Sequence, residues 1–210
     1  MASIQPGRFI TVEGIDGAGK SSHIEWLREY LTAAGHAVVV TREPGGTPLG
    51  ESLRSILLND PMSPETEMML MFAARAEHLA SVIRPALDSG AWVISDRFSD
   101  ATYAYQVGGR GVSEEKFLAL EALVQAGLQP DRTILFDVSV ETAQARLHDT
   151  RILDRFEREA SDFHQRVRDA YHQRAEQFPK RIRRVASDVP MAQVRAQILT
   201  ELSDLLTLND

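Results

Sequence analysis

The sequence predicts an α/β fold: five parallel strands in a three-layer arrangement, with helices on both faces of the sheet. Two observations carry that prediction. Short β-branched runs alternate along the chain with segments of helical period, and a βαβα order implies a parallel sheet between helical layers. The first run leads directly into a glycine-rich turn and a helix, at the carboxyl end of a strand where such sheets bind ligands. No repeat, low-complexity tract or Pro/Gly/Ser linker divides the 210 residues, so 1–210 is expected to be one domain.

The elements follow in order. Arg8-Phe9-Ile10-Thr11-Val12 is a short apolar run expected to be a buried strand. Ile24, Leu27 and Leu31, with Trp26 and Tyr30 alongside, place a helix over roughly 19–34. Further strands are expected at 37–41, 92–95 and 133–136, with a weaker one at 182–185. Helical segments lie at roughly 48–58, 64–88, 113–127, 139–148, 160–178 and 190–207. In the last, Met191, Val194, Ile198, Leu202 and Leu205 step by three and four. Gly45-Gly46-Thr47-Pro48 and Gly108-Gly109-Arg110-Gly111 are expected to be loops inside the domain.

Composition narrows the function classes. Hydrophobic residues make up 43% and charged residues 25%, ordinary for a globular domain. The net charge of −7 argues against a nucleic-acid partner, which would require a basic face. The chain has no cysteine, which excludes disulfides, thiolate zinc sites and cysteine nucleophiles and fits a cytoplasmic protein. Met1 to Gly7 lack the basic start and apolar stretch of a signal peptide. The most apolar window, 68–74, is too short to span a bilayer, so no membrane role is expected.

Chemistry begins at Gly14-Ile15-Asp16-Gly17-Ala18-Gly19-Lys20-Ser21. This is the G-x-x-x-x-G-K-[ST] pattern of P-loop proteins, here in its strand–loop–helix context. The glycines free backbone N–H groups to ring a polyphosphate. Lys20 brings a positive charge to the β- and γ-phosphates, the Ser21 hydroxyl can ligate magnesium, and the helix dipole points at the same anion.

Three further clusters suggest a second phosphate. Thr41-Arg42-Glu43-Pro44-Gly45-Gly46-Thr47-Pro48 follows the second strand and Asp96-Arg97-Phe98 the third. Arg42 and Arg97 can each fork onto phosphate oxygens, and Asp96 stands where P-loop proteins place a magnesium carboxylate. Arg146, Arg151 and Arg155 precede or enter Leu153-Asp154-Arg155-Phe156-Glu157. They are spaced to line a closing flap and to neutralise charge on a transferring phosphoryl group. Tyr103 and Tyr105, close behind Arg97, place aromatic rings at a sugar–base distance from a phosphate.

On these segments, together with Phe9 to Ser21 and Asp96 to Gln106, the chain resembles the bacterial thymidylate kinases, a family of P-loop nucleoside-monophosphate kinases. The matches span most of the chain in the family's order. The resemblance implies a P-loop NTPase fold with an arginine-bearing lid at roughly 146–157. It also implies transfer of the ATP γ-phosphoryl group to dTMP with Mg2+. ATP would lie on Gly14, Ile15, Asp16, Gly17, Ala18, Gly19, Lys20, Ser21 and Ser22. Arg97 would hold the dTMP phosphate, with Arg42 and Glu43 ordering the loop around it. Arg75 and Thr102 would meet the thymine edge, Tyr105 the sugar near C2′, and Gln106 the base or sugar. Asp16 would sit near the acceptor phosphate, the 3′-hydroxyl or magnesium; Ser21 and Asp96 would be the other metal ligands. Lys20, Asp16, Arg97 and the lid residues Arg146, Arg151 and Arg155 form the expected catalytic set. Because Gly17 stands where some relatives carry a P-loop arginine, the lid must supply most of the transition-state charge. The family is usually homodimeric.

One departure concerns the base. The family places a stacking Phe four residues before the base-contacting Arg; here Met71 holds that place and Phe72 is three before Arg75. Spacings of three and four share a helix face, so Phe72 is taken as the stacking residue with Met71 as a soft partner. The alternatives are a kinase for another pyrimidine acceptor such as dUMP, or a non-catalytic nucleotide-binding module.

Overall fold

The computed structural model describes residues 7–148 and 154–206. Strands β1 (Phe9–Glu13), β2 (Val38–Arg42), β3 (Trp92–Asp96), β4 (Arg132–Asp137) and β5 (Ile182–Ala186) form one parallel sheet in the order β2-β3-β1-β4-β5. The helices are α1 (Lys20–Ala33), α2 (Pro48–Asn59), α3 (Pro64–His78), α4 (Arg84–Asp88), α5 (Ser99–Thr102), α6 (Glu114–Gln125), α7 (Val140–His148), α8 (Ser161–Gln177) and α9 (Met191–Leu206). No helix among the described residues is long and apolar enough to cross a membrane.

β1 is buried along its whole length, as an apolar run at the centre of a two-sided sheet must be. Alternate residues face opposite layers. Ile10, Val12 and Ile94 pack with Ile24, Leu27 and Leu31 of α1, whereas Phe9 and Val93 pack with Leu79, Ile83 and Phe98. Register sets the site: Val12 and Arg42 both lie level with Asp96, so the carboxyl ends of β1, β2 and β3 converge. Local signals start several helices. Thr47, Ser63 and Ser113 cap α2, α3 and α6 through their hydroxyls, with Pro48 and Pro64 at the first helical positions.

Two expectations are corrected. The stretch 64–88 is not one regular helix: a π turn, Leu79–Ile83, separates α3 from α4. Pro85 lacks an N–H for the Ser81 carbonyl and its ring crowds that carbonyl, so the turn before it widens. The expected loop around Gly108-Gly109 instead continues α5 as a π-helix over Tyr103–Gly109. A Cβ on Gly108 would lie 2.4 Å from the Ala170 Cβ, and one on Gly109 2.5 Å from the Phe163 ring. These glycines permit close approach of α8, and packing overrides their low helix propensity.

Candidate active site

The P-loop is wedged between β4 and α7. Gly14 and Gly17 have φ of 137° and 81°. A Cβ on them would lie 2.6 Å from the Phe136 carbonyl oxygen and 2.2 Å from that of Ala143, so only glycine fits. Lys20 is buried, and its Nζ donates to the carbonyls of Gly14 (3.0 Å) and Ile15 (3.3 Å). Burial, reinforced by the charge of Arg97, pushes the ammonium below its ordinary value. From α7, Arg146 donates to the Gly17 carbonyl (3.3 Å) and the Ser187 carbonyl (3.0 Å). That brings it to the P-loop. Arg151 lies outside the described residues.

Ser21 and Asp96 line one cavity, with Thr41 and Arg42 on its wall. Asp96 Oδ1 is buried with no hydrogen-bond partner among the described residues. A buried carboxylate oxygen of this kind, beside a hydroxyl, fits magnesium, which takes oxygen ligands and usually few from protein. Asp16 does not line this cavity. Its two oxygens accept from Arg97 Nη2 (2.7 Å) and the Tyr105 hydroxyl (2.8 Å), which engages it with the acceptor-side residues.

A second cleft opens where the P-loop, the loop after β2, α2, α3 and the segment after β3 meet. Asp16, Glu43, Arg75, Arg97, Thr102, Tyr105 and Gln106 all line it. Arg97 is the hub. Its φ of 71° is left-handed, unusual for a non-glycine residue, and such strain costs roughly 1–3 kcal/mol. Neighbouring bonds hold it: the Arg97 N–H donates to the Val12 carbonyl (3.0 Å), Ser95 Oγ donates to the Arg97 carbonyl (2.7 Å), and the Phe98 N–H donates to Glu13 Oε1 (2.7 Å). The guanidinium reaches Asp16, the Tyr105 hydroxyl (3.1 Å) and the Tyr171 hydroxyl (3.1 Å). Tyr171 in turn donates to Glu13 Oε2 (2.8 Å).

The charges are arranged accordingly. Partial burial would raise the Asp16 carboxyl, but Arg97 and Lys20 override it and hold it far below the usual carboxylate range. Glu13 goes the other way, pushed up to about 8 by burial and by nearby Asp100, against the pull of Arg97. Arg75 is buried between the rings of Phe72 (4.7 Å) and Phe98 (5.0 Å). It donates to Glu43 (2.7 Å) and to the Thr102 hydroxyl (2.9 Å). Gln106 Nε2 donates to Glu67 (2.8 Å). Arg75 Nη1 and Gln106 Oε1 are buried without partners among the described residues.

Packing places two of the expected site residues elsewhere. Phe72 does not line the cleft; it is buried against Phe117 (5.6 Å) in the core, and Met71 lines the cleft instead. A helix turns about 100° per residue, so only one of two adjacent side chains can face the ligand. Arg155 is not brought to the P-loop. It donates twice to the Leu57 carbonyl (3.0 and 2.8 Å) and pairs with Glu67 at 2.6 Å. Buried Glu67 needs cations, and Arg155 and Arg110 supply them.

Three residues at the site carry no role that the sequence alone assigns. Glu13 carried one signal, a carboxylate ending an otherwise apolar strand. Arg54, which lines the acceptor cleft and donates to the Pro44 carbonyl (3.0 Å), looked like an ordinary helix-surface charge. Tyr171 had no local signal.

Comparison with known proteins agrees with this geometry. A family model described as thymidylate kinase matches residues 12–198. The thymidylate kinase of Nitrosomonas europaea is 58% identical over 203 residues, 96% of this chain and 94% of that one. The thymidylate kinase of Methylobacillus flagellatus is 59% identical over 193 residues, 92% of this chain and 95% of that one. Among solved structures, the thymidylate kinase of Ehrlichia chaffeensis superposes with a TM-score of 0.76 at 34% identity, covering 94% of this chain and 99% of that one.

Proposed function

The chain belongs to the thymidylate kinase family, and from that premise we propose that it transfers the γ-phosphoryl group of ATP to dTMP, giving dTDP and ADP. The observation that carries the reading is a pair of cationic sites at the carboxyl ends of the adjacent strands β1 and β3. Lys20 stands in the P-loop, Arg97 stands after β3, and Asp16 is hydrogen-bonded to Arg97 between them. In the transfer, an oxygen of the dTMP 5′-phosphate forms a bond to Pγ as the bond from Pγ to the bridging oxygen of ADP breaks. No covalent enzyme intermediate is needed. The protein's work is to align two anions and offset their repulsion.

Lys20 and the loop amides hold the donor phosphates, with Arg146 beside them. Arg97 holds the acceptor phosphate, and Arg54 adds a second positive charge to that cleft. Magnesium, when bound, neutralises the β- and γ-oxygens; Ser21 Oγ and Asp96 Oδ1 are the groups that would hold it. On the base side, Arg75 Nη1 offers a donor and Gln106 Oε1 an acceptor. Thymine presents the complement, O4 as acceptor and N3–H as donor. Cytosine presents the reverse, which would leave both protein groups unpaired at about 1–3 kcal/mol each. Met71 provides the apolar contact to the ring.

A coupled ADP-release assay across dTMP, dUMP, dCMP and AMP tests this reading. Turnover should be fastest with dTMP, and kcat/KM for dCMP roughly 100-fold or more lower. ATP binding without acceptor-dependent turnover would leave only a nucleotide-binding module. A cytoplasmic homodimer belongs to the same proposal. Leu49 and Ile56 of α2, Met69 of α3 and Leu118 and Leu123 of α6 are exposed on helices that pack in series, an apolar surface of the kind that marks an interface. Sedimentation at micromolar concentration should give twice the chain mass; a monomer would remove the dimer and leave the kinase reading intact.

A further inference from the structure

His78, the last residue of α3, is fully buried and lines neither of the two clefts. Its Nδ1 lies 2.9 Å from Glu43 Oε1 and its Nε2 2.6 Å from Thr41 Oγ1. A carboxylate already bound to Arg75 accepts, so Nδ1 carries the proton; in the neutral ring Nε2 then accepts from the Thr41 hydroxyl. The other oxygen of Glu43 receives Arg75 Nε at 2.7 Å, and Arg75 Nη2 donates to Thr102 at 2.9 Å. The result is one continuous line, Thr41–His78–Glu43–Arg75–Thr102. It runs from the end of β2 to α5 through three side chains that are each at most 5% exposed.

The line also spans the wall between the two clefts. Thr41 lines the cavity of Ser21 and Asp96, while Glu43, Arg75 and Thr102 line the acceptor cleft. The loop after β2 closes directly on the imidazole: a Cβ on Gly46 would lie 2.6 Å from both His78 Nε2 and Thr41 Oγ1. Without the imidazole, Glu43 Oε1 would be buried with one fewer donor. The carboxylate would then be free to rotate, and Arg75 would lose the fixed partner that sets the direction of its unpaired Nη1.

We propose that His78 is a positioning residue for acceptor recognition: it holds Glu43, and Glu43 aims the Arg75 guanidinium at the nucleobase. This rests on the kinase reading above. The groups involved respond to substitution in different ways. An Asn side chain can put its amide nitrogen where Nδ1 stands and keep the donor to Glu43. A Gln side chain reaches Thr41 instead and loses the Glu43 donor. A Leu side chain keeps the bulk and neither bond.

The test is steady-state kinetics on wild type, His78→Asn, His78→Gln and His78→Leu, with KM measured separately for dTMP and ATP. His78→Gln and His78→Leu should raise the dTMP KM roughly tenfold or more and lower the dTMP-over-dCMP ratio of kcat/KM, with the ATP KM within about twofold of wild type. His78→Asn should stay within about threefold on every measure. Equal dTMP KM values in all three variants, or a loss confined to kcat or to the ATP KM, overturns the assignment. Should His78→Leu not fold, the Asn and Gln variants decide the question by themselves, since both keep a polar amide in the same space. Wild type without dTMP-dependent ADP release would sink the kinase reading itself; active wild type with indistinguishable variants sinks only the role of His78.

Discussion

Replacing Arg97 with alanine should lower kcat/KM for dTMP about 1,000-fold and leave the ATP KM within about threefold. The size follows from what the side chain touches. Arg97 is the hub of the acceptor cleft, bonded to Asp16, Tyr105 and Tyr171. Its removal deletes the charge facing the acceptor phosphate and leaves the Asp16 carboxylate there, so an attractive site becomes a repulsive one. Arg54 in the same cleft retains some positive charge, which keeps the loss toward the lower end of the range known for arginines in phosphoryl transfer. Arg97→Lys should recover little, because a single ammonium cannot reproduce bonds from two Nη atoms to three partners. The backbone adds to the effect, since alanine at a φ of 71° keeps the strain and loses the side-chain bonds that stabilise it. Steady-state kinetics with each substrate varied separately would check this. An Arg97→Ala enzyme within tenfold of wild type for dTMP would show that another group holds the acceptor phosphate.

Asp100→Ala should lower stability by about 3–5 kcal/mol, because it leaves buried arginines without their partner. Asp100 is fully buried in α5 and accepts from Arg174 Nε (3.1 Å), from Arg181 Nη2 (2.9 Å) and from Thr133 (3.3 Å). Arg174 is itself packed against the rings of Tyr103 (4.8 Å) and Phe178 (4.5 Å). The ions therefore tie α5 to α8 and to the residue just before β5; α5 carries Thr102 and leads into the π-helix that carries Tyr105 and Gln106. For a chain of this length the melting temperature should fall by roughly 6–20 °C. Arg28→Ala, which breaks an exposed, solvent-screened pair with Glu25, should leave stability close to that of wild type. The sign with pH follows from the carboxyl. Burial would raise it, but Arg181 and Arg174 prevail and hold it below the ordinary 3.8. Its stabilising contribution is thus complete above about pH 4 and is lost as pH falls below that value. The gap between wild type and Asp100→Ala should narrow in acid; a gap that stays constant down to pH 2 would contradict an ionic role.

The architecture was legible because its signals are local. The central strands β1, β3 and β4 were readable as apolar runs because they are buried on both faces; the edge strands β2 and β5 are only partly buried, and the signal of β5, with Arg183 and Arg184 inside it, was accordingly weaker. The P-loop was readable because only glycine tolerates the backbone of Gly14 and Gly17. The acceptor cleft was legible through a family resemblance and less so through physics. Arg97, Tyr105 and Gln106 lie close together in sequence, but the π-helix that carries Tyr105 and Gln106 is seated by the close approach of α8 to Gly108 and Gly109. Arg155 illustrates the limit: its spacing suited a lid, yet its partner is Glu67, far away in sequence.

The order of the residues alone therefore determined the sheet, the phosphate loop and the kinds of charge gathered at the strand ends, because each depends on conformational needs spanning a few residues. Tertiary structure decided that Met71 and not Phe72 faces the cleft, that Tyr171 and Glu13 brace Arg97, and that His78 joins Thr41 to Glu43. Those pairings join segments up to 158 residues apart. They are set by which faces pack and which buried charges need partners, and no short stretch of sequence carries that information.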